Sequence, residues 1–203
     1  MKRMKSLLAV ALVLSTSIGS FASRSEETRR VRLQELRAST SSHIHVTLLE
    51  RAFLDAVAIL EKQNSCSEFF GGSKAADVLK ELVANLETRS NDYRVGVQMS
   101  GRFVVYKHES GVLYRLFEKA EVNRSGPFYK AKVFPSEPLI PKIGSFPPNT
   151  RQVRVLILLH ELAHLIEGGN RTWLIPDDGN NEELSRSNTR TIESKCSKEI
   201  RAL

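Results

Sequence analysis

Beyond residue 46 the apolar positions of the chain recur first at helical spacing, then at strand spacing, then at helical spacing again. Leu49, Phe53, Val57 and Leu60 predict an amphipathic helix between Val46 and Gln63. Gly71-Gly72-Ser73 breaks it, and Ser73 is placed to cap a second helix with Val78, Leu79, Leu82, Val83 and Leu86 on one face. The period then becomes two. Tyr93, Val95 and Val97 alternate with polar residues, Ser100-Gly101 reads as a turn, and Phe103 to Tyr106 as a second strand. Ser110-Gly111 is a further turn before a strand from Val112 to Phe117. Tyr129, Ala131 and Val133 alternate again until Pro135 stops the run. Prolines at 135, 138, 141, 147 and 148 make the next segment a rigid loop. After Pro148 a helix begins, with Asn149 as N-cap and Gln152 three residues on, and Gly168-Gly169 ends it. Apolar residues occupy almost every side of that helix, so it belongs in the middle of the domain. A polar helix from Asn181 to Ile200 closes the chain. The fold class expected is α+β, with helices packed on a small antiparallel sheet of three or four strands.

The N-terminal pattern is different. Lys2, Arg3 and Lys5 precede a short apolar run, Leu7 to Leu14, and Ser20-Phe21-Ala22 supplies small residues three and one before a cut. Residues 1–22 therefore read as a signal peptide, residues 23–45 as a polar segment, linker or pro-segment, and residues 46–203 as the working domain. The apolar run is far short of the roughly 20 residues that span a bilayer, so no membrane span is expected in the mature form. Removing the signal lowers the formal charge from +7 to +4, with 27 basic residues against 23 acidic, mixed in sign along the chain. No basic block or interleaved aromatic pattern points to nucleic acid. Export to a secreted or periplasmic location makes a disulfide between Cys66 and Cys196 the default reading.

The candidate chemistry lies at the end of the apolar helix, in His160-Glu161-Leu162-Ala163-His164. Histidines four apart stack on one helix face and can take two corners of a zinc tetrahedron. Glu161, about 100° round the helix from His160, can reach a water on the metal's open position. Zinc lowers the pKa of such a water to about 7, and Glu161 would serve as general base in peptide-bond hydrolysis. An apolar helix has little reason to carry three such residues otherwise, because unpaired buried charge costs several kcal/mol, on the order of 3–5.

The segment from Val155 to His164 resembles the active-site helix of the zincin metallopeptidases, and the mix of helices and small sheet before it is similar to their minimal domain. That resemblance implies Zn²⁺ as cofactor, a peptide or protein as substrate, and an edge strand that holds the substrate's backbone. It also implies a third protein ligand. Glu167 and Asn170 occupy the places where the metzincin branch has Gly and His or Asp, so the chain is not similar to that branch. Asn181-Glu182-Glu183-Leu184-Ser185-Arg186 is similar to the gluzincin pattern and places Glu182 first as third ligand. Arg186 departs from that pattern, standing where an Asp would brace a histidine. Asp178 or Asp177 comes next, from the linking loop as in a further zincin branch, and then Glu193. Asp177-Asp178-Gly179-Asn180 also reads simply as a turn, and Glu182 and Glu183 as first-turn helix residues. His43, His45 and His108 are further candidates, His108 as a cleft residue at the end of a strand, but read first as ordinary solvated or core histidines, and Trp173 and Leu174 read as pocket wall or core alike. The tail, with Ser185, Asn188, Thr189 and Cys196, is similar to small secreted bacterial proteins, which assigns no substrate. The rival reading is a non-catalytic exported binding protein that keeps the zinc site.

Overall fold

The structure, a computed structural model, describes residues 47–90, 96–132, 134–136 and 138–203. The segment read as a signal peptide, the polar segment with His43 and His45, and the alternating pair Tyr93 and Val95 lie outside the described residues.

Among the described residues, five α-helices and a three-stranded sheet make an α+β fold. Helix α1 (Leu48–Leu60) opens on Thr47, whose hydroxyl accepts from the Glu50 N–H while the Glu50 carboxylate accepts from the Thr47 N–H. Reciprocal bonding of this kind satisfies two donors that a helix start otherwise leaves open. A short helix α2 (Ser65–Phe69), not foreseen from the pattern, is capped by Asn64. Helix α3 (Lys74–Asn85) buries Val78, Leu79, Leu82 and Val83 as the spacing predicts, but Ser73 makes no side-chain capping bond.

The sheet departs from expectation in four ways. Leu86, assigned by pattern to the helix face, begins strand β1 (Leu86–Arg89) and is buried in the same core. Strand β2 (Val97–Lys107) runs unbroken through Ser100-Gly101, where a register shift between Ser100 and Phe103 marks a bulge. Gly101 takes φ +87°, open to glycine at no steric cost, so the dipeptide read as a turn serves a bulge instead. Tyr129 belongs to a turn, its N–H and that of Lys130 both donating to the Gly126 carbonyl, so no fourth strand forms there among the described residues, which leave out Val133. Strand β3 (Leu113–Asn123) is central. It pairs parallel with β1 and antiparallel with β2, so the sheet is mixed rather than antiparallel.

Helix α4 (Arg151–Leu165) is the middle of the domain. Val153, Val155, Leu156, Leu158, Leu159, Leu162, Ala163 and Leu165 are all fully buried, against α1, α3 and α5. Its cap is Thr150, which accepts from the Val153 N–H at 3.2 Å; Asn149 sits one residue too early, at φ +59°. The helix stops at Leu165, before Gly168, because Ile166 turns extended and bridges to Tyr114 on β3. Helix α5 (Glu182–Arg201) is capped by Asn181 and buries Thr189, Ile192, Cys196 and Ile200. No helix among the described residues is long and apolar enough to cross a membrane.

Cys66 on α2 and Cys196 on α5 are joined in a disulfide across a sequence separation of 130. Such a bond fits a chain that matures in an oxidising compartment. Replacing both cysteines with alanine should cost about 2–5 kcal/mol in denaturant unfolding. Alkylation of the native protein without reductant should label no thiol; two labelled thiols would remove the disulfide from this account.

Candidate metal centre

The last two turns of α4 bring His160 and His164 to one face, as their spacing of four requires. Both are buried, at 8% and 4% exposure. The rings meet edge to face with centroids 4.9 Å apart and Nε2 atoms at 3.1 Å. Asp178 reaches the same point, its Oδ2 lying 3.2 Å from the His160 Nε2 and 3.6 Å from the His164 Nε2. Among the described residues these three form the group whose ligand atoms converge, all within 4.8 Å of one another.

Asp178 gets there because the loop after α4 doubles back. Glu167 N–H donates to the Leu113 carbonyl, and Leu174 N–H to that of Ile166, which lays a narrow ribbon beside β3. The turn read from Asp177-Asp178-Gly179-Asn180 is real, with the Asn181 N–H donating to the Asp178 carbonyl at 2.8 Å. That bond occupies the backbone and leaves the Asp178 carboxylate for the histidines. Asn188 on α5 steadies the loop, its amide donating to the Pro176 carbonyl at 2.9 Å with the Asp178 Oδ2 at 3.4 Å. Beside it, the Thr189 hydroxyl lies 3.2 Å from the His160 Nδ1, a partner that would fix the ring so that Nε2 faces Asp178.

Electrostatics follow from burial and proximity. Burial lowers the pKa of His160, more than the neighbouring Asp178 carboxylate raises it. Burial alone would raise Asp178, but hydrogen bonds from the His160 and His164 rings hold it well below the usual carboxylate range. Glu161 is pushed well above its ordinary value, by burial and then by the Asp178 charge.

The other candidates lie elsewhere. Glu182, first by pattern, is 63% exposed and pairs with Arg186 at 3.2 Å. Glu193 accepts from the Ser145 N–H and hydroxyl in the proline-rich loop. Asp177 faces Arg115. His108 sits at the β2–β3 turn with Ser110 and Asp77. Two residues escaped the sequence reading as site components. Thr189 and Asn188 were visible only as part of the tail pattern, yet both touch the cluster. Arg115 carried one signal, a charge within the apolar run Leu113-Tyr114-Arg115-Leu116-Phe117.

The three side chains fit a tetrahedral zinc. Ligand atoms about 2.0–2.1 Å from such an ion stand roughly 3.3 Å apart, and the observed edges are 3.1, 3.2 and 3.6 Å. Two neutral imidazoles and a carboxylate are also the donor types that zinc takes. Neither family models, nor curated proteins, nor solved structures yield a match to this chain.

Asn188 is 3% exposed and bonds the loop that carries Asp178. Asn188→Ala should destabilise the fold by about 1–3 kcal/mol, since it strands a carbonyl. Amide exchange should rise in residues 174–180 and not in α4, as read by hydrogen–deuterium mass spectrometry.

Proposed function

We propose that this chain is an exported zinc metallopeptidase of zincin type, with His160, His164 and Asp178 as the protein ligands and Glu161 as general base. The observation that carries the reading is the triangle of two Nε2 atoms and one carboxylate oxygen beside Glu161. Zinc held there would act as a Lewis acid and lower the pKa of a bound water. The chain's own part is positional and protonic. The helix fixes both rings, Thr189 orients His160, and the loop supplies the anionic ligand. Glu161 takes a proton on its carboxylate and returns it to the amine nitrogen that leaves as the peptide bond breaks. Strand β2 is an outer strand of the sheet, and it sets Phe103 and Val105 opposite Phe117 and Arg115. That edge supports an extended peptide as substrate. The disulfide and the N-terminal signal pattern support export to the periplasm or beyond.

This assignment of ligands differs from the gluzincin pattern in taking Asp178 over Glu182. Elemental analysis should find one zinc per chain in the wild type and in Glu182→Gln. Asp178→Asn should lose most of it. Glu161→Gln should keep the metal and lose cleavage of a peptide library by roughly 10²–10⁴-fold. A Glu182→Gln variant that loses zinc as Asp178→Asn does would reverse the ligand assignment. Zinc at full occupancy with no cleavage by the wild type would leave a binding protein in place of an enzyme.

A further inference from the structure

Arg115 is the most buried charged residue described, at 1% exposure, and none of the catalytic roles above uses it. It stands near the start of β3, between two parts of the candidate metal centre. Its Nε–H donates to the His164 carbonyl at 2.8 Å, at the end of the helix that carries both histidines. Its two terminal nitrogens donate side by side to the two carboxylate oxygens of Asp177, the residue before Asp178. Three rings enclose the guanidinium, with Trp173 at 4.3 Å, Phe117 at 4.9 Å and Phe103 at 5.0 Å. Trp173 comes from the same returning loop as Asp177.

We infer that Arg115 is a positioning residue for the metal centre, locking the Asp177-Asp178 segment against the end of the histidine helix. This rests on the reading of His160, His164 and Asp178 as a metal site. The chemistry favours a lock over a simple surface pair. A guanidinium offers donors in a rigid fork, so one side chain fixes both the direction and the distance of the carboxylate it binds. Asp177 is 58% exposed, whereas its partner is enclosed. The loop therefore carries a carboxylate to a cation the core already holds, rather than the reverse. Enclosing rings exclude water from that cation and strengthen its hold. Asp178 follows by one residue, so the fork limits where its carboxylate can stand relative to the two Nε2 atoms.

The test uses the full chain and zinc itself. Dissociation constants are measured by chelator competition for the wild type, Asp177→Asn, Arg115→Lys and Thr172→Ala. Cobalt substitution adds the visible absorption of the bound ion as a geometric readout. Asp177→Asn changes a mostly exposed residue and tests the proposal even if Arg115→Lys fails to fold. Both should raise the zinc Kd about 10–100-fold, the size of effect that outer-shell partners have. Both should also alter the cobalt spectrum. Thr172→Ala, in the same loop but outside the fork, should leave both unchanged. A merely structural Arg115 would lower the unfolding midpoint while the folded variants kept the wild-type Kd and spectrum, and that result would overturn the proposal. A wild type that binds no zinc would overturn the metal site itself, and this inference with it.

Discussion

The contact on which the rest of the site depends is the one between Asp178 and the two imidazoles at the end of α4. A helix enclosed on almost every side cannot leave His160 and His164 at its last turns without partners, because desolvated polar groups unmet by hydrogen bonds cost on the order of 1–3 kcal/mol each. Water has little access to the two rings. A carboxylate delivered from the chain itself meets both Nε2 atoms at once. The course of the loop from Ile166 to Asn181, its ribbon beside β3 and its grip by Asn188 all serve that delivery.

Such a cluster is a poor way to gain stability. Two rings and a carboxylate drawn from water give back in mutual attraction about what desolvation costs, and an apolar replacement often does as well or better. The stability of this fold has other visible sources: the apolar faces of α4, the reciprocal cap at Thr47, and a disulfide that ties α2 to α5. Glu161 sharpens the contrast. Burial and then the Asp178 charge raise the pKa of its carboxyl well above the ordinary value, so an ionised Glu161 is costly there without a nearby cation. Polar groups kept at a cost in one corner of an otherwise conventional core are the physical support for the proposed enzymatic reading.

What could be read from sequence was what local spacing determines. The His pair, the course of α4 and α5, and the turn at Asp178 all depend on residues within a few positions of one another. The Cys66–Cys196 pairing was legible because there were only two cysteines to pair. The third position of the triangle was not, because Asp178 and Glu182 lie four residues apart and the choice between them depends on how far the loop folds back along β3. Strand β1 was hidden by Leu86, whose burial suits a helix face and a strand equally. Gly101 looked like a turn because a bulge also needs positive φ. Arg115 was legible only as an oddity, a charge in an apolar strand, until the loop that answers it was in place.

Under the proposed assignment, a loop-borne ligand has a consequence that a helix-borne one would not. Glu182 on α5 would be as rigid as its helix, whereas Asp178 is only as well placed as its anchors, Arg115 through Asp177 and Asn188 through Pro176. The two anchors pull on neighbouring residues from opposite sides, one from the sheet and one from α5. His164 shows how finely that balance is set. Its Nδ1 is buried without a hydrogen-bond partner, and the Asp177 Oδ1 stands 3.8 Å away. The ring of His160 has Thr189 in the corresponding place. Asp177 thus stands between two donors, and the fork of Arg115 holds the greater share of it. A shift of the loop by less than about 1 Å would bring the carboxylate within hydrogen-bonding reach of Nδ1, while carrying Asp178 with it. The surroundings of His164 and the reach of the Asp178 carboxylate are therefore both tied to where the loop lies.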